Sequence, residues 1–451
     1  MWKSSDNWHE EAKALTRIAG PLMVNNLAIA GMQFTDTVMA GRLGAESLAA
    51  VAVGGSIWFL GFSVALGTLM AVSPLAARRY GAGKPEEIGQ VTRQAIYLGL
   101  GLGVLLLLNG QIVVAPVLRL IDISPDFRDL TVGYVRAITL GAPGICVFLV
   151  LRFTTEGIGL TRPIMYSSMF SLCCNAILNY VLMFGKLGAP ALGAVGCGLA
   201  SAITMWFVMV VLAIYILVSP RYRPLRIFSR LAPLRRGVLS EIVFLGFPIA
   251  ITIVAEAGLF NVVSVLMGTR GATITSAHQI AISFASTMFM IPLALSSATT
   301  IRVGHALGAG NPRSARFVGI VGVSLCGAFM ACAATFLLLF RDAVVVLYTN
   351  DLSIQGIAIG LLLMAAIFQV ADGVQIGAAG ALRGYKDTRI PMFVNMFAYW
   401  VIAFPLAYLA AVTYRLPPNY VWGGFIVGLT IAAILLTLRY QRVSKLATET
   451  D

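Results

Sequence analysis

Along the chain, apolar residues come in long runs, and polar and charged residues gather in the short breaks between them. A helix that crosses a bilayer needs about 20 predominantly apolar residues. The runs predict twelve such helices, roughly at 17–40, 47–76, 92–117, 131–152, 163–185, 191–218, 240–268, 274–300, 314–340, 353–381, 391–413 and 420–440. With no water in the hydrocarbon to satisfy exposed backbone groups, helices are the spanning form that such runs allow.

Composition agrees with the pattern. Of the 451 residues 59% are hydrophobic and 11% charged, against about 25% charged in soluble domains. A soluble enzyme, a nucleic-acid binder and a disordered scaffold are thereby excluded. The chain carries 32 Lys and Arg against 19 Asp and Glu, a net charge of +13. With the N-terminus on the cytoplasmic side, 24 of the 32 basic residues fall on that side. This is the positive-inside pattern; it places both termini in the cytoplasm and makes the excess charge topological, with no nucleic acid partner. The six cysteines lie in apolar runs and read as small hydrophobes. The first residues, with Trp2, Trp8 and three acids before Lys13, lack the order of a cleavable signal, so the first helix is expected to be retained.

The two halves repeat. Pro21, Gly31, Gly41, Gly44 and Ala45 map onto Pro248, Gly258, Gly268, Gly271 and Ala272, each 227 residues later. Gly81-Ala82-Gly83-Lys84-Pro85 maps onto Gly308-Ala309-Gly310-Asn311-Pro312 at the same offset. Six spans per half, an even number, give both copies one orientation, so their pseudo-two-fold axis runs along the membrane normal. The expectation is an all-α membrane protein of two six-helix lobes, residues 1–218 and 239–451, joined by a basic cytoplasmic linker at 219–238. That linker holds Arg221, Arg223, Arg226, Arg230, Arg235 and Arg236 without an acid; contact with anionic membrane lipid is a further reading of it. Parallel repeats around a central cleft suit alternating access. The GAGxP segments read as tight turns that start the next helix at proline. No GxxxxGK[ST] loop occurs, so the chain is no ATP-driven pump.

Three carboxylates fall well inside apolar spans: Asp36, Glu256 and Asp372. A central Asp costs about 2.5–3.5 kcal/mol on insertion scales and needs a partner, a proton, a cation or water. None has an Arg or Lys one turn away. Polar neighbours share their faces: Asn25 and Gln33 with Asp36, Gln369 and Gln375 with Asp372, and Thr252 one turn before Glu256. Span five carries Ser168, Ser171, Asn175 and Asn179 without an acid. These oxygens suit hard cations; a buried carboxyl also suits proton carriage, and interhelical hydrogen bonding is the plainer alternative. Met288 and Met290 read either as core or as an adaptable wall for a substrate. His278 reads as packing, His305 as a solvated residue of a basic loop, and Glu156 and Glu241 as acids near water at span ends.

Gly20-Pro21, Asp36, Gly41 and Gly44 on span one, the repeated GAGxP turns and the LRGYKDTRIP run at Leu382–Pro391 together resemble the multidrug and toxic compound extrusion (MATE) transporters over residues 12–440. Glu256 and Asp372 point to the bacterial NorM-like branch. The resemblance implies an antiporter of the bacterial inner membrane that exports hydrophobic, often cationic drugs and dyes in exchange for Na+ or H+, with no resident cofactor. It implies a cation site, Na+ included, at Glu256 and Asp372, and a coupling role for Asp36 beside Asn175 and Asn179. Some relatives carry Tyr one turn before the span-ten acid; Phe368 stands here and has no hydroxyl. A monomer is expected.

Other carriers compete with this reading. A related flippase of lipid-linked sugars would need a strongly basic cavity, whereas the three embedded acids are negative. A major-facilitator carrier also has twelve spans, but Ala76-Ala77-Arg78-Arg79-Tyr80 lacks the acid usual in its 2–3 loop. An intramembrane enzyme finds neither HExxH nor a Ser with an evident base.

Overall fold

The computed structural model describes residues 7–120, 124–228 and 233–449; Trp2 and Arg230 lie outside the described residues. The described chain is helical and contains no strand. We number its long helices α1 Trp8–Leu43, α2 Ala45–Gly81, α3 Pro85–Arg119, α4 Pro125–Thr139 with Ala142–Gly157, α5 Arg162–Phe184 and α6 Gly193–Val218. In the second half follow α7 Arg236–Gly268, α8 Ala272–Gly308, α9 Pro312–Tyr348, α10 Leu352–Gly384, α11 Arg389–Thr413 and α12 Pro418–Glu449. Ten of these are long and apolar enough to cross a membrane, and α4, bent by 45° between its two parts, makes an eleventh. At 36 residues α1 has the length, but Asn25, Asn26, Gln33 and Asp36 dilute its apolar run.

The chain divides into two compact units, residues 24–250 and residues 251–451 with the stretch up to Met23. The first turns of α1 therefore belong with the second half, and the first turns of α7 with the first half. Both switches come two residues after a proline inside a helix, Pro21 in α1 and Pro248 in α7. A proline there removes one backbone donor and loosens the ladder, a defect that membrane helices tolerate when neighbours resatisfy the freed groups.

The repeat is visible in the turns. Gly83 and Gly310 adopt φ 69° and 72°, a region that favours glycine. The next residue's N–H returns to the helix in both copies, Lys84 to Arg79 and Asn311 to Ala306, at 3.0 Å. Pro85 and Pro312 then open α3 and α9. The GAGxP segments are tight turns, as their composition predicts.

Within the first unit the basic linker is fastened down. Tyr222, Leu225 and Ile227 are buried, while Arg221, Arg223 and Arg226 are exposed. Arg93 donates to the carbonyl of Arg226, Gln94 Nε2 to that of Pro233 at 2.9 Å, and the Arg235 N–H to Gln94 Oε1 at 2.9 Å. A Cβ on Gly89 would overlap the Leu225 carbonyl oxygen, so only glycine admits the linker this close to α3.

Within the second unit a core of Leu259, Val263, Phe284, Leu361, Leu362 and Trp422 joins α7, α8, α10 and α12. Ala398, Tyr399 and Ala403 of α11 complete it. Their helix is not regular: residues Phe397–Ala403 and Leu409–Thr413 form π turns on either side of Pro405. π turns of this kind recur at functional sites.

Candidate functional site

In the first unit α1 and α5 run side by side in register. Asn25 meets Ser168 at 2.5 Å and Asp36 meets Asn179 at 2.5 Å, both across 143 residues. Between them Gly31 leaves room for Leu172, whose methyls would lie 3.4 Å from a Cβ at 31. The Asp36 carboxylate accepts from Asn179 Nδ2, which also donates to Asn175 Oδ1 at 3.2 Å. Asn175, Cys197 and Ser201 stand near the same carboxylate. The serines and asparagines of span five thus face inward, buried on one stripe. Gln33 does not join them; it is exposed. At about 100° per residue Asp36 stands about 20° from Asn25 but Gln33 about 80° away, which turns Gln33 out of the helix contact.

A half-buried arginine, which hydropathy alone does not single out, supports this layer. Arg152 on α4 donates through Nε to Glu156 Oε1 at 2.7 Å. With its amide oriented to satisfy both neighbours, Asn25 turns its oxygen to an Arg152 nitrogen at 3.1 Å. Glu156, placed near water by the sequence, is 2% exposed: the ion pair lets the helix end be buried inside the unit.

The second unit gathers the other two acids. Asp372 and Gln369 on α10 are 4% and 0% exposed, Gln375 is buried one turn on, and Glu256 of α7 lies within electrostatic reach of Asp372. Gln369 has neither amide atom paired, and Gln375 Oε1 is also unpaired. Gln375 Nε2 donates to the hydroxyl of Tyr399, in the first π turn of α11, at 2.5 Å. Tyr399 is fully buried and interacts electrostatically with both acids. Arg383, counted among loop residues by hydropathy, is buried in the last turns of α10. It donates to Ser296 Oγ at 2.8 Å and attracts Glu256.

His278 is packing: its Nδ1 accepts from Trp422 Nε1 at 3.1 Å, and Nε2 meets Ser264 Oγ at 3.0 Å. Since the indole only donates, the proton sits on Nε2, which makes the ring neutral and both nitrogens engaged. Met288 packs against the core of the unit; Met290 is partly buried on the same helix. His305 is not solvated. It is 4% exposed in the last turn of α8, because that helix runs on to Gly308. Among the described residues no three His, Cys, Asp or Glu side chains converge as a metal site. A cation held here takes amide, hydroxyl or water oxygens beside the two acids.

Two stretches of this chain, residues 21–181 and 248–409, match the MatE family model. The chain belongs to the MatE family. The MatE matches begin at Pro21 and Pro248, the two prolines of the 227-residue repeat. The multidrug resistance protein PmpM of Pseudomonas aeruginosa is 39% identical over 442 residues, covering 96% of this chain and 92% of that protein. A probable multidrug resistance protein NorM of Xanthomonas campestris is 40% identical over 435 residues, 96% and 95% of the two chains. Among solved structures, a MATE transporter in the straight conformation superposes with a TM-score of 0.89 at 22% identity, covering 99% and 100% of the chains. The eukaryotic MATE transporter AtDTX14 gives 0.85 at 23%. The all-α fold predicted from the apolar runs is thus the MatE fold.

Proposed function

We propose that this MatE transporter exports hydrophobic, cationic drugs and dyes in exchange for Na+ or H+ entering the cell, by alternating access. We place it in the bacterial inner membrane as a monomer bathed in lipid, both termini cytoplasmic, with no resident cofactor. The observation that carries the reading is the pair Glu256 and Asp372. Two acids interact inside an apolar helix bundle, and among the described residues neither carboxylate has a hydrogen-bond donor. Such a pair is costly unless a proton or cation attends it. The relatives named as multidrug resistance proteins support the same reading.

Coupling then follows from differential binding. A driving ion that binds the carboxylates better in one state biases the transporter toward that state; equal affinity would couple nothing. A lipophilic cation is attracted to the anionic site when it is free of the driving ion and leaves when the ion takes the acids. Asp36, held by Asn179, is the corresponding acid of the first unit. These two arginines do not make a basic cavity for a pyrophosphate: Arg152 is held by Glu156, and Arg383 by Ser296 and the attraction of Glu256.

The test uses the protein in liposomes loaded with ethidium. A Na+ gradient is imposed with pH clamped on both sides, then a pH gradient without Na+. Dye movement under one gradient supports the reading and names the ion; no movement under either refutes it.

A further inference from the structure

Resting on the exporter reading, the second unit raises a narrower question: which groups besides the two acids hold the driving cation. A proton needs only a carboxylate. Yet three further polar side chains are buried among these acids, and their atoms are incompletely used. Gln369 is fully buried, three residues from Asp372, with neither amide atom paired. Gln375, three residues on the other side, keeps an unpaired Oε1. A buried polar atom left unpaired is costly, so three of them flanking Asp372 point to a ligand. Amide and phenol oxygens are ligands for hard monovalent cations, Na+ and hydronium alike.

A hydroxyl is also present, on a different helix from the position where some relatives carry it. Phe368 cannot supply one, and its ring is engaged elsewhere. It packs edge-on against Phe260, Trp422 and Phe425, with centroids 6.0, 6.0 and 6.1 Å away. Tyr399 stands instead in the π turn of α11. Its hydroxyl accepts from Gln375 Nε2 at 2.5 Å, and both acids act on it electrostatically. Because that bond uses only a lone pair, the phenol keeps a second lone pair and its own proton.

We propose that Tyr399, oriented by Gln375, is the hydroxyl ligand of the driving cation, and that the Gln369 amide is a neutral ligand beside Asp372. The π turn is what brings the hydroxyl there: by widening one turn of α11 it sets Tyr399 against Gln375 while Ala398 and Ala403 stay in the core.

The test is ethidium efflux from liposomes containing Y399F, which keeps the ring and removes only the oxygen. A hydrogen bond to a charged group corresponds to about tenfold or more in affinity. The half-saturating driver, Na+ at clamped pH or acid without Na+, should rise by that factor, with the half-saturating dye concentration unchanged. Whichever arm drives the wild type identifies the cation. A Y399F protein with wild-type half-saturation would overturn the assignment. If Y399F does not reconstitute, Q369L reads the same site; an unchanged driver requirement in it overturns the assignment equally. F368Y added to Y399F should not restore the driver requirement, because position 368 faces aromatic rings; restoration would place the hydroxyl at 368 and contradict the proposal. Wild-type protein that moves dye under neither gradient strikes the exporter reading itself, whereas an unchanged variant in a working transporter strikes only the ligand assignment.

Discussion

Arg302 grips Glu11 with two nitrogens, Nε reaching Oε1 at 2.7 Å, and Glu11 is completely buried. This ion pair ties the first turns of α1 to the last turns of α8, and Trp8 adds an edge-on contact with Phe317 at 6.3 Å. The other unit has a counterpart. Arg79 near the end of α2 reaches Glu241 in the first turns of α7 at 2.9 Å. Shifted by 227, Glu11 falls one turn before Glu241, and Arg302 one turn before Arg79. Each repeat therefore anchors the opening turns of its first helix in the unit that otherwise comprises the other repeat.

Breaking a buried pair by removing one partner costs about 3–5 kcal/mol, because the other charge stays behind. E11A should lower the thermal unfolding temperature in detergent clearly, and E241A much less, since Glu241 is about one-third exposed and screened. Equal losses in the two variants would show that burial does not set the strength of these anchors.

D36N preserves shape but removes the charge that Asn179, Asn175, Cys197 and Ser201 surround. Export of ethidium from cells should fall at unchanged expression, and N179A should fall less far, because one of several partners is lost. Full resistance in D36N would remove Asp36 from the coupling machinery.

The closeness of Gly89 to the Leu225 carbonyl makes a second structural prediction. A methyl there forces the linker off α3, at about 1–3 kcal/mol. Trypsin should then cut G89A faster after Arg221 and Arg226 than it cuts the wild type. An unchanged cleavage rate would mean that the linker is held elsewhere.

Much of this could be read from the residues, and the limits were physical. The apolar runs and the repeat showed the helices, and the spacing of Asp36 and Asn25 put both on one face. Gln33 was grouped with them because a 120° stripe is wider than the contact between two helices. Hydropathy assigns arginine to span ends and does not single out Arg152 or Arg383, whereas a paired arginine can be partly or wholly buried. His305 was misplaced for the same reason: the basic residues around it look like loop, but the helix continues through them. Tyr399 escaped notice because nothing in an apolar span announces a π turn. Its one signal is Pro405 six residues later, which frees a backbone carbonyl in that stretch.

The proposed coupling rests most directly on the two acids of the second unit. Wild-type, E256Q and D372N proteins would be reconstituted at equal density and loaded with ethidium, and efflux followed under the gradient that drives the wild type. Both variants should keep the wild-type unfolding profile and lose gradient-driven efflux. Efflux at the wild-type rate in both would contradict the assignment of coupling to Glu256 and Asp372.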